Sequence, residues 1–268
     1  MLDTDALKGN IKNIALQSGA VIGGLTPRRE ILGLIERLRP LRPKKGLRRF
    51  GPENDGGYLM PDDLDGVGAC ISPGVSTESR FDLEIAERGI DVHLADASVE
   101  GPSVSHRRFH FTKKFLGAHS GGDFVSIDDF CRPIRARDDR DFILQMDIEG
   151  AEYIVLPEMS DELLKSFRII VIEIHNLESI FAVFPFRIIT MLFDKLLRHH
   201  HIVHLHPNNC CGVASRHGIQ APRVMEFTLY RKDRDEFEAF DGKIPEKHRL
   251  DGVNVVGKPE LLLPDCWR

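Results

Sequence analysis

Two continuous apolar runs, Phe142-Ile143-Leu144-Gln145-Met146 and Ile169-Ile170-Val171-Ile172-Glu173, constrain this chain more than any other feature. A strand with water on one face alternates apolar and polar residues, whereas a strand covered on both faces by helices reads as an unbroken run. Both segments therefore belong at the centre of a mostly parallel sheet. Each run breaks off into polar chemistry: Asp147-Ile148-Glu149-Gly150-Ala151-Glu152 follows the first, and Glu173-Ile174-His175-Asn176 closes the second. Ligands of an open α/β sheet bind beyond the carboxyl ends of its strands, so these two ends are where function is expected.

The rest of the chain supports such a sheet. From residue 67 short apolar runs alternate with helical patterns, as βαβ units do. Gly66 to Ile71 is the first strand candidate, followed by a helix from about Ser76 that buries Phe81, Ile85 and Ala86 and stops at Gly89. Asp91 to Ala95 and Phe124 to Ile127 read as further strands. His201 to Leu205 and Val224 to Tyr230 close the sheet; Met225, Phe227 and Leu229 alternate with Glu226, Thr228 and Tyr230, as an antiparallel member would. Ahead of the sheet, Ile31, Leu34, Ile35 and Leu38 follow Thr26-Pro27 at helical spacing, and Pro40 and Pro43 end that helix. The basic stretch Arg42, Lys44, Lys45, Arg48, Arg49 reads as a solvated linker. The expected organisation is an N-terminal helical extension over 1–45, a Rossmann-like α/β domain over 46–258 with an antiparallel C-terminal strand, and a tail over 259–268.

The 268 residues, 42% of them hydrophobic, can bury the core of one such domain. A net charge of -5, from 36 basic and 41 acidic residues, supplies no basic field for nucleic acid or an anionic membrane. No apolar run reaches the length of a membrane span, and Asp3 and Asp5 stand where a secretory signal needs positive charge. Five cysteines without regular spacing point to ordinary thiols in a reducing, cytoplasmic setting, the adjacent Cys210-Cys211 included. The triplet His199, His200 and His201 is expected to close a helix as solvated imidazoles, and His206 to line an acceptor pocket.

Residues just past the strands form a coherent set. Ser72-Pro73-Gly74-Val75-Ser76 turns into a helix, and Asp96 follows the next strand, placed to accept hydrogen bonds from ribose hydroxyls. Pro73, Gly74, Ser76 and Asp96 are therefore cofactor-binding candidates, with Asp128 past the Phe124 strand. A dinucleotide needs G-x-G-x-x-G to bring backbone against its pyrophosphate, but only Gly74 is present. That favours S-adenosylmethionine, which carries no phosphate. Asn54-Asp55-Gly56-Gly57-Tyr58 is either a turn closing over this cofactor, through Asp55, Gly56, Gly57 and Tyr58, or a plain turn between strands.

Asp147, Glu149, Glu173 and His175 are the catalytic candidates. Clustered carboxylates raise one another's pKa, as suits a general base, and surround a cationic sulfonium favourably. His175 titrates near neutrality and can take a hydroxyl proton. The same four residues could instead hold a divalent metal.

With these residues in place, positions 50–232 resemble the FkbM-type methyltransferases. Asp147, Glu149, Gly150, Ala151 and Glu152 match a D-x-E-G-A-E segment, Ile172 to His175 a following strand end, and Asp55 to Tyr58 the D-G-G-Y turn of one branch. Asn208, Asn209 and Glu226 match an asparagine pair before a Glu-containing strand. The resemblance implies O-methylation, commonly of a sugar or other hydroxyl, on a small-molecule or glycan acceptor in surface polysaccharides, glycolipids or natural products. A nicotinamide oxidoreductase and a non-catalytic binding module are the rival readings. The apolar stripe of the N-terminal helix is expected to serve a homo-oligomer contact or a lid.

Overall fold

The computed structural model describes residues 23–75 and 77–268, so Ser76 and the first twenty-two positions lie outside the described residues. Seven strands form the central sheet: β1 (Ala69–Pro73), β2 (Asp91–Ala95), β3 (Phe109–Thr112), β4 (Phe142–Met146), β5 (Phe167–His175), β6 (His200–Pro207) and β7 (Val224–Arg231). Their spatial order is β6-β7-β5-β4-β1-β2-β3, and β7 alone runs antiparallel to its neighbours. The chain moves outward from β1 through β2 to β3, then returns to place β4 on the other side of β1. That reversal opens a crevice between the β1 and β4 ends, the position at which such sheets bind ligands.

The two runs on which the sequence argument rests are the innermost strands. Every residue of β4 is buried, as is β5 from Phe167 to Ile174. One face of the sheet packs against helices α1 (Arg28–Arg37), α3 (Ile127–Arg135), α4 (Glu152–Glu158), α5 (Asp161–Ser166) and α6 (Val183–Leu196). The other packs against α2 (Arg80–Glu87) and a hairpin of Arg48–Phe50 with Tyr58–Met60. Away from the crevice, Arg168 ties the core together, with Nε 3.0 Å from Asp141 Oδ2 and Nη1 donating to the Asp63 carbonyl at 2.9 Å. Arg234 and the Tyr230 hydroxyl both donate to the Asp63 carboxylate. No helix among the described residues is long and apolar enough to cross a membrane.

Several expectations need correction. Ile31, Leu34, Ile35 and Leu38 are buried in the chain's own core, so this stripe is not free for a dimer contact or a lid. The basic stretch is no linker: Arg42–Pro43 pairs with Phe237–Glu238, and Arg48–Phe50 belongs to the hairpin. Its charges are spent locally, Lys45 on Asp63 at 2.9 Å and Arg49 on the carbonyls of Pro52 and Asn54. Phe124–Ser126 stands outside the central sheet and pairs with Phe115–Gly117, and the Ser126 side chain caps α3 by accepting the Asp129 N–H. His200 opens β6 and is wholly buried against the Phe167 carbonyl at 2.7 Å, and burial pushes its pKa down to about 4. Cys210 and Cys211, expected as thiols, are joined as a disulfide in the turn after β6.

Candidate active site

The crevice between β1 and β4 is a cavity of about 480 Å³. Its floor depends on Gly74. This residue has φ +88°, and a Cβ there would lie 1.6 Å from the Asp147 carbonyl oxygen. Only glycine lets the loops after β1 and β4 meet, where Asp147 N–H donates to the Pro73 carbonyl at 3.4 Å. Asp96, at the end of β2, fixes the same loop by accepting the Val75 N–H at 3.0 Å, and holds its own turn through Ser98 N–H at 2.7 Å.

The hairpin turn brings Asp55, Gly56 and Tyr58 to the cavity wall, so Asn54 to Tyr58 is a turn between strands that also borders the cavity. Gly57 lies behind it, with no room for a Cβ beside the Pro52 carbonyl. Pro73 contributes its carbonyl to the loop contact and does not line the cavity. Asp128 is also away from the lining: its carboxylate accepts the Ser160 N–H at 2.9 Å and the Ser160 hydroxyl, pinning α3 to α5.

Asp147, Glu149, Glu173 and His175 come together. His175 Nε2 lies 3.4 Å from Glu149 Oε2, 3.7 Å from Asp147 Oδ1 and 3.9 Å from Glu173 Oε1, while Nδ1 is 3.4 Å from Glu152 Oε1. One imidazole thus faces four carboxylates. Burial works to lower its pKa, but Glu152, Asp147 and Glu149 outweigh it, and the shift is upward. Asp147 is carried up to about 7, chiefly by desolvation, with Glu149, Glu152 and Asp55 adding to it and His175 opposing. Its Oδ1 is buried without a hydrogen-bond partner. Burial, Asp147 and Glu226 also hold Glu173 well above the usual carboxylate range, although Asn208 Nδ2 donates to it at 3.0 Å.

Both strand ends pass through left-handed backbone, at Glu149 (φ 56°) and Gly150 after β4 and at Asn176 (φ 53°) after β5. A left-handed non-glycine residue costs about 1–2 kcal/mol, and such strain gathers at sites where the surroundings force it. Glu149 is 86% exposed at its side chain and hangs over the mouth, whereas Glu152 is fully buried and accepts the Ile148 N–H at 3.0 Å.

Other participants carried no sequence signal. Gln145, the one polar residue in β4, accepts the Ser72 hydroxyl at 2.7 Å and donates to the Tyr58 hydroxyl at 3.2 Å. Burial lifts Asp82, in the cavity wall, to about 7. Phe115, Leu116 and Phe124 supply an apolar side. Asn254 donates to Asp55 Oδ1 at 3.1 Å and Glu226 Oε1 at 2.7 Å, joining the turn to β7. His206, expected in an acceptor pocket, is buried behind this link; burial opposes its charge, but Glu226 and Asp251 raise it to about 9.

No curated protein matches the chain. Among solved structures it is similar to a putative methyltransferase of an antibiotic biosynthesis pathway from Anabaena variabilis, at 14% identity and a TM-score of 0.29 over 53% of this chain and 60% of that one. It is also similar to the 1,6-didemethyltoxoflavin-N1-methyltransferase of Burkholderia thailandensis, at 14% identity and TM-score 0.31, covering 62% and 72%. A third is magnesium protoporphyrin IX methyltransferase from Synechocystis PCC 6803, at 15% identity and TM-score 0.33, covering 63% and 76%. These likenesses are too distant to carry an argument about chemistry, and the chain spans 60% of the Anabaena protein's length. The methyltransferase FkbM domain, by contrast, matches residues 93–201, a stretch that contains Asp96, Asp147, Glu149, Glu173 and His175. Residues 93–201 are thus similar to the methyltransferase FkbM domain, the family that the acidic turn and the Glu173-Ile174-His175 segment resemble.

Proposed function

We propose that this methyltransferase uses S-adenosylmethionine to methylate a hydroxyl group, on a sugar in a polysaccharide, glycolipid or glycosylated natural product. The observation that carries the reading is one cavity bordered by Gly74 and Asp96 on one side and by Asp147 and Glu149 on the other, with His175 against these two carboxylates just outside the lining. Its volume lies within the roughly 300–1,000 Å³ of small-molecule sites. The residues fit the donor. Gly74 keeps the floor open, Asp96 stands where a ribose is recognised, Phe115, Leu116 and Phe124 suit an apolar ring, and the carboxylates favour a cation. When bound, S-adenosylmethionine supplies a methyl group on positively charged sulfur.

The chain's own work is to align the acceptor and remove its proton. Asp147 is suited to the second task, with a free buried oxygen and a pKa carried up to about 7. His175, held among the carboxylates, balances the negative charge left on the cluster and shares its proton with it, so that Asp147 and His175 titrate as a unit. A base of this kind is wanted by a hydroxyl acceptor.

The test is transfer of a labelled methyl group from S-adenosylmethionine to a panel of glycosides and amines, with products sequenced by mass spectrometry. Methyl ethers on sugar hydroxyls support the reading. Label on nitrogen only contradicts it, and binding of a nicotinamide dinucleotide without S-adenosylhomocysteine turns the site into an oxidoreductase.

A further inference from the structure

Behind the cavity wall, β6 carries His204 and His206 two residues apart, which puts both side chains on one face of the strand. Their rings lie nearly parallel, with an interplanar angle of 12°. The segment after β7 returns to bring Asp251 between them. Asp251 Oδ1 is 2.8 Å from His204 Nε2, and Oδ2 is 3.7 Å from His206 Nδ1. All three side chains are at least nine-tenths buried, and one donor atom from each falls within 4.8 Å of the others. We propose that His204, His206 and Asp251 form a structural binding site for a divalent transition metal of the zinc class.

Bonds of about 2.0–2.1 Å in a tetrahedron place neighbouring ligand atoms about 3.4 Å apart. The separations of Asp251 from the two imidazoles, one from each carboxylate oxygen, bracket that value, and a ligand atom from each of the three lies within 4.8 Å of the others. Two imidazoles with one carboxylate select zinc-like ions over magnesium and calcium, which prefer oxygen.

The surroundings also set the histidine that must ligate. Asn254 commits its amide nitrogen to Asp55 and Glu226, two acceptors, so its Oδ1 must be the acceptor for His206 Nε2 at 2.9 Å. That hydrogen bond keeps a proton on Nε2, so a metal would bind at Nδ1 by displacing the proton that faces Asp251, the arrangement by which an outer partner orients a ligating histidine. Glu226 is buried and so is the Asp251 side chain, and both face His204 and His206; a divalent cation would take over the positive charge that protons on these imidazoles supply.

The ion would fasten the 248–259 segment to β6. Asn209 holds the same segment by donating to the carbonyls of Val255, Lys258 and Pro259, and Asn254 carries it to Asp55 at the cavity wall. This site is separate from the Asp147, Glu149, His175 cluster and is independent of the acceptor assigned above.

The full-length protein, stripped with a chelator and reloaded with zinc, tests the proposal. The expected result is one tightly held zinc per chain, a melting temperature raised by at least about 4 °C on loading, and an anomalous diffraction peak between His204, His206 and Asp251. His204→Gln and Asp251→Asn lose the zinc, whereas Asp147→Asn keeps it. Should those variants fail to fold, the anomalous map of the unaltered protein decides alone. No zinc above the buffer background, or a peak only at Asp147, Glu149 and His175, overturns the proposal.

Discussion

Replacing Gly74 by alanine breaks the contact that builds the cavity floor, and Gly89 supplies the control. Both glycines have nearly the same left-handed backbone, φ +88° and +86°. A Cβ at Gly89 meets nothing within 4 Å, whereas at Gly74 it lies 1.6 Å from the Asp147 carbonyl oxygen. Gly89→Ala therefore incurs only the backbone penalty, about 1–2 kcal/mol. Gly74→Ala adds a clash that the Asp147 carbonyl can relieve only by retreating about 1.8 Å, to the 3.4 Å of ordinary contact. Forced overpacking of this kind costs about 1–3 kcal/mol more, which leaves a domain of about 5–15 kcal/mol still folded. Urea denaturation with a common m-value reads the two losses, and isothermal titration with S-adenosylhomocysteine reads the cavity. Gly74→Ala should lose about 2–5 kcal/mol of stability and at least about tenfold in affinity, equivalent to 1.4 kcal/mol, while Gly89→Ala binds like the unaltered protein. Equal stability and equal affinity in the two variants would refute the reasoning.

Asp147→Asn should lower kcat by about 10²–10⁴-fold with donor affinity retained. In the unaltered protein the rate should rise with pH through about 7 as the Asp147–His175 pair loses a proton, and a pH-independent rate from 5 to 8 contradicts the role of Asp147 as base. Asp96→Ala should weaken S-adenosylhomocysteine binding far more than Asp128→Ala, because Asp128 is committed to Ser160 outside the cavity; comparable losses by calorimetry contradict that placement. Asp63 is desolvated, yet hydrogen bonds from Arg234, Tyr230 and Lys45 hold it well below the usual carboxylate range. A depressed folded pKa contributes stability that is complete above the unfolded value of about 3.9 and is lost as pH falls through the folded one. Denaturation midpoints should therefore fall on acidification below about pH 4, and Asp63→Asn should flatten that limb.

How much of this was legible in the sequence follows from where each signal is local. β4 and β5 announced themselves because a strand buried on both faces must be apolar throughout, and the acidic turn was visible because it interrupts such a run. Asp128 read like Asp96, each polar and just past an apolar run, and only the fold shows that Ser126 caps a helix there and turns Asp128 toward Ser160. The basic stretch read as solvated because its partners follow no local pattern: the Pro52 and Asn54 carbonyls for Arg49, Asp63 for Lys45 and the distant Phe237 for Pro43. The N-terminal stripe showed its amphipathicity without revealing that its partner was the same chain. Gln145 read as part of the apolar run of β4, and its use in joining Ser72 to Tyr58 depends on three segments meeting. Asn254 and Asp251 sit in a polar stretch without periodicity, so nothing local marked them.

The central claim is that the crevice between β1 and β4 is the donor site of a methyltransferase, and a crystal structure with S-adenosylhomocysteine tests it most directly. The account predicts the ribose against Asp96, the chain at Gly74 in contact with the ligand, and the sulfur facing Asp147 and His175. Ligand density in the separate groove lined by His93, His110 and Arg137, with the β1–β4 crevice empty, would contradict it.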